Sequence, residues 1–419
     1  MYFIKQYPWL DPLNIALSLS TTENNVAFLY SAKKYTYSGD YSFLAWEADK
    51  EIDDFKSLQQ QLSSNCKFHE NLWFGYLGYE VFSTTTQKQH INLPPLYFFK
   101  AKNLLIFDHQ KKRLSFFSSN LKTAIDDLLS DSYHPPINEN TLSIYNLSSN
   151  MTKQEYIEKV NILRSAIVAG DFYQANLTRK FFGNIANKNP FTIFQELSMT
   201  SPAPYSAYFK FNNNHILSSS PERFINISSE GKINSRPIKG TLDRNKNKKI
   251  LQNSSKDKAE NLMIVDLMRN DIARSAKVGS VSVDQLFHID SFTTLHHMSS
   301  SINGTKKPSV STLQAIKSSF PPGSMTGTPK IAAINALKKL ENYNRNIYSG
   351  CLGYFAGDGS CDLSVVIRTI IIQNKKFEFQ VGGAIIYDSD PHKEWHETLI
   401  KSKGICKALK ITLDELSLI

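Results

Sequence analysis

A lysine in the short segment Pro237-Ile238-Lys239-Gly240-Thr241 is the residue of this sequence best placed to act as a nucleophile. The proline fixes the backbone direction before the lysine, and the glycine after it lets the backbone pass close to a ligand. A lysine amine attacks only in its neutral form, which burial and neighbouring cations favour. We therefore predict a catalytic Lys239, the alternative being a surface lysine in a turn.

A lysine that displaces a poor leaving group needs an acid partner, and Glu222 precedes it in the stretch 220–224. We expect this stretch on the neighbouring strand. A carboxyl group used as an acid requires a raised pKa or a short hydrogen bond to the substrate. The alternative for Glu222 is a salt bridge with Arg223 or Arg236.

Two further glutamates, Glu260 and Glu397, lie on strong helical patterns that are far apart in sequence. Glu260 begins the string Glu-Asn-Leu-x-Ile-Val-Asp-Leu-x-Arg-Asn-Asp, and Glu397 has Lys401 as its i,i+4 neighbour. The first helix is predicted to bury an apolar stripe formed by Leu262, Val265 and Met268. The alternative for each glutamate is an exposed acidic helix face.

Other elements are predicted from local signals. Thr152 followed by Glu155 predicts a capping box that begins a helix, and Gly170 predicts its end. The stretches 103–109 and 113–117 predict a β-hairpin. The Pro-, Asn- and Ser-rich stretch 130–150 predicts a linker or surface excursion.

The composition indicates a globular protein. With 419 residues the chain is long for one core, so we expect one large α/β unit or two closely packed domains. No apolar run reaches the roughly 18 residues needed to cross a bilayer, and the first residues do not resemble a signal peptide. The four cysteines have no CxxC spacing, which predicts reduced, buried thiols. We therefore expect a cytoplasmic protein that does not bind membranes.

The formal charge of +10 raises the alternative of nucleic-acid binding. The densest basic stretch of the chain, 244–249, has no interleaved aromatic residues, and no recognisable nucleic-acid-binding motif accompanies it. We therefore predict a solvated loop and no nucleic-acid partner. A basic excess would also attract a small dianion.

The motifs, taken in order, resemble the chorismate-utilising enzymes, the family of anthranilate synthase component I. The resemblance rests on the stretch 235–242, the Glu260 string and the Gly-Asp, Tyr-Gln-x-Asn junction at 170–177, with a weaker match at 73–80. It implies an α/β (α+β) fold of two face-packed β-sheets with outer helices and the active site between the sheets. It also implies an N-terminal region over 1–145 and a chorismate-binding catalytic domain over 146–419.

The lysine at position 239 indicates a branch of this family, since anthranilate synthases usually carry alanine there and aminodeoxychorismate synthases carry lysine. The resemblance thus implies conversion of chorismate and ammonia to 4-amino-4-deoxychorismate, a step of folate biosynthesis. Lys239 would add at C2 while the C4 hydroxyl leaves with help from Glu222 as general acid. Ammonia would then enter at C4 and expel the lysine.

The resemblance implies roles for further residues. His297 would be a catalytic residue beside the ring, although it could equally be a buried core histidine. Glu260 and Glu397 would hold one Mg²⁺, which would bind a substrate carboxylate. The loop 381–384 would hold the enolpyruvyl carboxylate through backbone N–H groups, with Ala384 where the family usually has glycine. The implied substrate-binding residues are Gly240, Thr241, Ser324, Tyr348, Arg368, Gly382, Gly383, Ala384 and Lys401.

Ammonia is expected from a separate glutamine amidotransferase subunit, because the sequence has no nucleophilic cysteine in a Gly-rich elbow. The nearest alternatives are anthranilate synthase component I and an isochorismate or salicylate synthase. The identity of Lys239 argues against the first. A catalytically silent, chorismate-binding regulatory subunit is another alternative, which the complete set of acidic and basic site residues disfavours.

Overall fold

The computed structural model describes residues 3–31, 35, 37–62, 66–83, 90–120, 141–291 and 295–419. Within these ranges the chain mixes strands and helices along its whole length. The strands are β1 (Phe3–Pro8), β2 (Asn25–Tyr30), β3 (Tyr41–Ile52), β4 (Trp73–Leu77), β5 (Leu96–Asp108), β6 (Arg113–Ser118), β7 (Ser143–Ser149), β8 (Gln174–Ala186), β9 (Tyr205–Phe211), β10 (Asn214–Ser220), β11 (Arg223–Ile227), β12 (Lys232–Arg236), β13 (Ile238–Asp243), β14 (Ser282–Ser291), β15 (Leu295–Thr305), β16 (Gly327–Thr328), β17 (Cys351–Phe355), β18 (Cys361–Val365), β19 (Thr369–Gln373) and β20 (Lys376–Ile385). The helices are α1 (Pro12–Thr22), α2 (Phe55–Gln61), α3 (Lys153–Ala169), α4 (Pro190–Thr200), α5 (Lys249–Gln252), α6 (Ser255–Ser275), α7 (Thr312–Ser319), α8 (Lys330–Glu341), α9 (Pro391–Leu409) and α10 (Leu413–Ser417).

Antiparallel pairing joins the strands into a sheet with two halves that share β5. From β5, one half continues through β3, β2, β9, β10, β19, β20, β8 and β7. The other half continues through β4, β17, β18, β11, β12 and β15. Both β13 and β14 pair with β15 at the far end. The long β5 therefore connects two sheet halves that can turn towards each other.

The buried apolar residues show that the two halves pack face to face. One core joins residues of both halves, such as Phe209 on β9 and Phe74 on β4. The two remaining cores lie on the other faces, against helices: Leu399 of α9 belongs to one and Val265 of α6 to the other. Alternate residues of a strand face opposite sides, so each half contributes to the central core and to one outer core.

Several local predictions are confirmed. The capping box of Thr152 and Glu155 begins α3, and Gly170 ends it in the left-handed conformation. The β-hairpin is formed by β5 and β6. The stretch 244–249 is exposed as predicted, although Lys249 already belongs to α5.

Among the described residues, no helix combines the length and the apolar character that crossing a membrane would require.

Other predictions were wrong in detail. Leu262 does not belong to the buried stripe of α6: it is 44% exposed, whereas Val265 and Met268 are buried. All four cysteines are free thiols as predicted, but Cys66 is only partly buried, whereas the other three are buried. In the predicted linker, 143–149 forms β7, which pairs with β8, and 130–140 lies outside the described residues. The predicted division after residue 145 falls inside β7 and remains a proposal.

Candidate active site

A cavity of about 1180 Å³ brings the predicted site residues together. It lies where β13, the edge of β20 and the helices α6 and α9 meet, and all the site residues predicted from the sequence line it except Gly383. The two site residues that are farthest apart in the sequence, Glu222 and Lys401, are separated by 179 positions. Only the completed fold can therefore assemble this group of side chains.

Lys239 lies in an irregular part of β13. The register between β13 and β15 shifts between Ile238 and Thr241, so Lys239 and Gly240 fall outside the regular ladder. Gly240 has a φ of 86°, and a Cβ there would lie 3.0 Å from Oδ1 of Asp257. Glycine is thus required both for the conformation and for the close approach of α6. At this irregularity the Lys239 side chain lines the cavity.

The Lys239 amine lies among charges of both signs. Its Nζ donates a long hydrogen bond of 3.5 Å to the backbone oxygen of Ser324. Burial lowers the pKa of this amine; the Glu260 carboxylate opposes the shift, and the Lys401 charge adds to it. The neutral amine needed for nucleophilic attack is therefore more populated than for a lysine in water.

Glu222 occupies the two-residue connection between β10 and β11, and not a strand as predicted. It is 5% exposed, and burial raises the pKa of its carboxyl group to about 7. The Ser324 hydroxyl, which donates a hydrogen bond to it, and the Lys239 charge both oppose this shift. Glu222 can therefore carry a transferable proton near neutral pH. The salt bridges considered as alternatives do not form, because Arg223 pairs with Asp362 and Arg236 with Asp290.

His297 lies deep in the wall of the cavity, on β15. Its Nδ1 is 2.9 Å from Oγ1 of Thr241, the residue opposite it on β13. Burial lowers the pKa of the imidazole to about 3, and the Arg368 charge adds to this effect. The ring is therefore neutral at physiological pH and can offer a substrate a hydrogen bond but no positive charge.

Arg368 and Tyr348 close another side of the cavity. Arg368 stands just before β19 with a φ of 51°, and its guanidinium forms no hydrogen bond or ion pair with any described residue. Burial lowers its pKa to about 10, and Glu222 opposes this shift, so it remains cationic at neutral pH. Tyr348 is buried, which raises the pKa of its hydroxyl and keeps it protonated. An unpaired guanidinium of this kind suits a carboxylate ligand.

The segment 381–384, predicted as a loop, is instead the end of β20. It pairs with β8, whereas β19 pairs with β20 only as far as Phe379, so the outer edge of β20 is open beside the cavity. The Gly382 oxygen accepts a hydrogen bond of 2.8 Å from Lys401, so the N–H of Gly382 and that of Ala384 also point outward. The N–H of Gly383 points towards β8. Ala384 has no positive φ, so alanine causes no strain there.

Glu260 and Glu397 both lie in the second turn of their helices. Ser254 caps α6 by accepting from Asp257 N, and Asp390 caps α9 by accepting from Lys393 N. Burial is the main cause that raises the pKa of Glu260. The two glutamates are close enough that the charge of Glu397 also contributes to this rise. Lys401 contacts Oε1 of Glu397 at 2.6 Å and lowers the pKa of that carboxyl group.

The acidic residues fit a hard divalent cation. Two more carboxylates, Asp257 and Glu394, line the cavity, each three residues before a predicted metal ligand and thus one helical turn away. Oxygen donors of this type are those that Mg²⁺ prefers, with substrate and water completing the shell. The part of the chain that the structure describes holds no group of three or more His, Cys, Asp or Glu side chains already arranged around a metal position.

Some residues of the cavity were not predicted as functional. Asp257 and Glu394 could have been found from their spacing to the two glutamates. Asn176 lies in the Tyr-Gln-x-Asn junction, but only the structure places it in the cavity. The mouth of the cavity carries exposed basic side chains from the stretch 244–249, from α6 and from α9, which the sequence did not indicate to be neighbours: Arg244, Lys246, Lys256, Lys393, Lys403 and Lys407.

The chain belongs to the family of chorismate binding enzymes, whose model matches residues 15–407. It is 33% identical over 407 residues to the chloroplastic aminodeoxychorismate synthase of Arabidopsis thaliana, covering 90% of this chain and 44% of that protein. It is 38% identical over 313 residues to aminodeoxychorismate synthase component 1 of Escherichia coli, covering 73% of this chain and 68% of that protein. It is also 31% identical over 361 residues to anthranilate synthase component 1 of Lactococcus lactis, covering 80% of this chain and 78% of that protein.

The first of these relatives is much longer than this chain. With 44% of the Arabidopsis protein and 54% of the aminodeoxychorismate synthase of Streptomyces pristinaespiralis covered, the chain spans about half the length of these relatives.

Solved structures confirm the predicted fold class. Anthranilate synthase component I of Streptococcus pneumoniae is similar with a TM-score of 0.77 and 25% identity, covering 88% of this chain and 92% of that one. The menaquinone-specific isochorismate synthase of Escherichia coli is similar with a TM-score of 0.80 and 15% identity, covering 98% of this chain and 95% of that one. The second similarity concerns the fold alone.

Proposed function

We propose that this chain is the chorismate-aminating component of an aminodeoxychorismate synthase, which converts chorismate and ammonia to 4-amino-4-deoxychorismate and water. The observation that carries the proposal is the pairing of Lys239 and Glu222 in one cavity. The pKa of the lysine is lowered and that of the glutamate is raised, so that a neutral amine and a protonated carboxyl group can coexist. The similarity to aminodeoxychorismate synthases supports the same assignment.

The proposed reaction has two substitutions. In the first, the Lys239 nitrogen forms a bond to C2, the ring double bonds shift, and the C4–O bond breaks as Glu222 gives its proton to the leaving hydroxyl, which departs as water. The proton that the lysine nitrogen loses returns to Glu222. In the second, ammonia forms a bond to C4, the C2–N bond breaks, and the proton lost by ammonia restores the Lys239 amine. Covalent catalysis thereby divides one difficult substitution into two easier ones.

The substrate carboxylates have candidate partners of their own. The unpaired Arg368 guanidinium and the outward N–H groups of Gly382 and Ala384 would bind the enolpyruvyl carboxylate. Glu260 and Glu397 would hold Mg²⁺, with Asp257 and Glu394 close by. When bound, the ion would neutralise and orient the ring carboxylate. His297, which stays neutral, would contribute a hydrogen bond beside the ring.

Ammonia would come from a glutamine amidotransferase subunit. None of the four cysteines lines the cavity, and burial raises the pKa of Cys351, Cys361 and Cys406, which disfavours a reactive thiolate at these positions. Ammonium salts alone should therefore support turnover, whereas glutamine should require an added glutaminase subunit. A cytoplasmic location is part of this proposal, since folate-pathway substrates would be met there.

The second candidate is anthranilate synthase component I, favoured by the similarity to the Lactococcus lactis protein. A product assay separates the two. The purified chain is given chorismate, Mg²⁺ and ammonium, and the products are analysed by mass spectrometry and ultraviolet absorbance. Aminodeoxychorismate without anthranilate is the expected result. Anthranilate as the main product would overturn the proposal, and isochorismate formed without ammonia would indicate the isochorismate synthase alternative.

A further inference from the structure

Asn176, on β8, is a buried amide to which the proposed chemistry assigns no role. The residue is 4% exposed, and its Nδ2 forms no hydrogen bond with any described residue. A buried donor without a partner is costly, because it has lost its hydrogen bonds to water without replacing them. An orphaned group of this kind calls for a partner that the folded chain does not itself supply.

The backbone of Asn176 is held from several sides. Its N–H donates to the Thr326 oxygen at 2.8 Å, and its carbonyl accepts from the Arg345 guanidinium at 2.7 Å. In the pairing of β8 with β20, Asn176 lies opposite Ala384 of β20. Because both backbone groups are engaged, the polar group that Asn176 can offer the cavity it lines is the side-chain amide.

The neighbours of Asn176 indicate which part of a ligand it would meet. Ala384, across the ladder, belongs to the strand edge proposed to hold the enolpyruvyl carboxylate. Thr326, which accepts its N–H, is two residues after Ser324, whose hydroxyl donates to Glu222. Asn176 is therefore next to the proposed enolpyruvyl-binding edge on one side and next to the segment that carries Ser324 on the other.

We infer that Asn176 is a substrate-binding residue, whose Nδ2 donates a hydrogen bond to an oxygen atom on the enolpyruvyl and C4 side of chorismate. This inference rests on the proposed function. A neutral donor suits the position, because a cation there would lower the pKa of Glu222, which the acid role requires to be raised. Binding of the substrate supplies the missing partner of the amide.

Gln174 provides a control within the same strand. It is two residues before Asn176, so it faces the same side of β8, and it is 0% exposed. Both of its side-chain polar atoms lack partners among the described residues, yet it does not line the cavity. The two residues share burial and unsatisfied polarity, but Asn176 lines the cavity and Gln174 does not.

The test compares Asn176→Leu with Gln174→Met, each of which replaces an amide by an apolar side chain of similar size. Thermal unfolding is measured with and without chorismate, together with steady-state kinetics. Without chorismate both variants should be at least as stable as the wild type, since an unpartnered amide is removed from the interior. Asn176→Leu should lose about 10- to 100-fold in chorismate affinity and in kcat/KM, whereas Gln174→Met should stay within about twofold.

A second variant, Asn176→Asp, keeps the shape and replaces the donor by a carboxylate. It should bind chorismate more weakly than Asn176→Leu, because it would face an anionic ligand. If Asn176→Leu or, should that variant not fold, Asn176→Ala binds chorismate as tightly as the wild type, the inference is wrong. If chorismate does not stabilise the wild type at all, the proposed function fails, and this inference fails with it.

Discussion

Glu222 and Lys239 line one cavity, and the pKa of each is shifted towards neutrality by burial: that of the carboxyl group rises to about 7, and that of the amine falls. Their mutual attraction opposes both shifts without cancelling them. A nucleophile and an acid can therefore be available together in one protein, although the same groups in water would form an ammonium and a carboxylate.

The first prediction concerns the pH profile of amination. Because Glu222 must be protonated to act as an acid, kcat/KM measured at a constant concentration of free ammonia should fall as the pH rises through about 7. Glu222→Gln should remove this dependence and lower kcat/KM by about 10²- to 10⁴-fold. A wild-type profile that is flat through this pH would contradict the acid role.

The second prediction is that Glu222 destabilises the fold when it is ionised. Its pKa is 4.5 ordinarily and about 7 in the folded protein, so the folded state binds the proton more tightly. The resulting stabilisation is complete below the pKa of Glu222 in the unfolded chain, which is 4.5, and is lost as the pH rises through about 7. Above that pH, Glu222→Gln should exceed the wild type by up to about 3 kcal/mol in the free energy of unfolding. Denaturant titrations at acidic and alkaline pH measure the difference, which should shrink at acidic pH.

The third prediction concerns the covalent step. Lys239→Ala should still bind chorismate, because the carboxylate-binding residues remain, but should lose aminodeoxychorismate formation by orders of magnitude. Because no lysine then occupies C2 of chorismate, direct addition of ammonia at this atom can give some anthranilate-type product. Mass spectrometry of the wild-type peptide that contains Lys239, quenched during turnover, should show an adduct. Near wild-type turnover in Lys239→Ala would mean that the lysine acts only through its charge.

The fourth prediction concerns the metal. EDTA should abolish turnover and Mg²⁺ should restore it. Glu260→Gln and Glu397→Gln should yield folded proteins that have lost Mg²⁺ binding, measured directly by calorimetry. Asp266→Asn is the control, because Asp266 lies on the same helix as Glu260 but is exposed and pairs with Arg269. Full activity of Glu397→Gln would remove the basis for the metal assignment.

The fifth prediction concerns the basic mouth of the cavity. Exposed cations at Arg244 and Lys246 should attract dianionic chorismate, so kcat/KM should fall as ionic strength rises. Lys246→Glu should lower kcat/KM severalfold at low salt and weaken its salt dependence. Lys277→Glu makes the same change in net charge at an exposed position outside the cavity and should have little effect. Equal effects of the two variants would exclude local steering.

Much of the site could be predicted because its parts are short local motifs. The segment around Lys239 and the helices of Glu260 and Glu397 each carry their signal within a few residues. The strand edge at 381–384 could not be predicted, because it depends on β19 leaving β20 after Phe379, which is a property of the sheet. Asn176 was missed for a similar reason: the absence of a partner for its amide is defined by residues far away in sequence.

The irregularity of β13 has a consequence for how such enzymes diverge. Lys239 lines the cavity and lies outside the regular ladder between β13 and β15, so the backbone pairing of these strands does not depend on its side chain. Under the proposed function, exchange of this side chain therefore changes the chemistry and leaves the strand pairing in place. New reactions can be acquired one substitution at a time on an unchanged scaffold, and related enzymes are expected to be separated by short mutational paths.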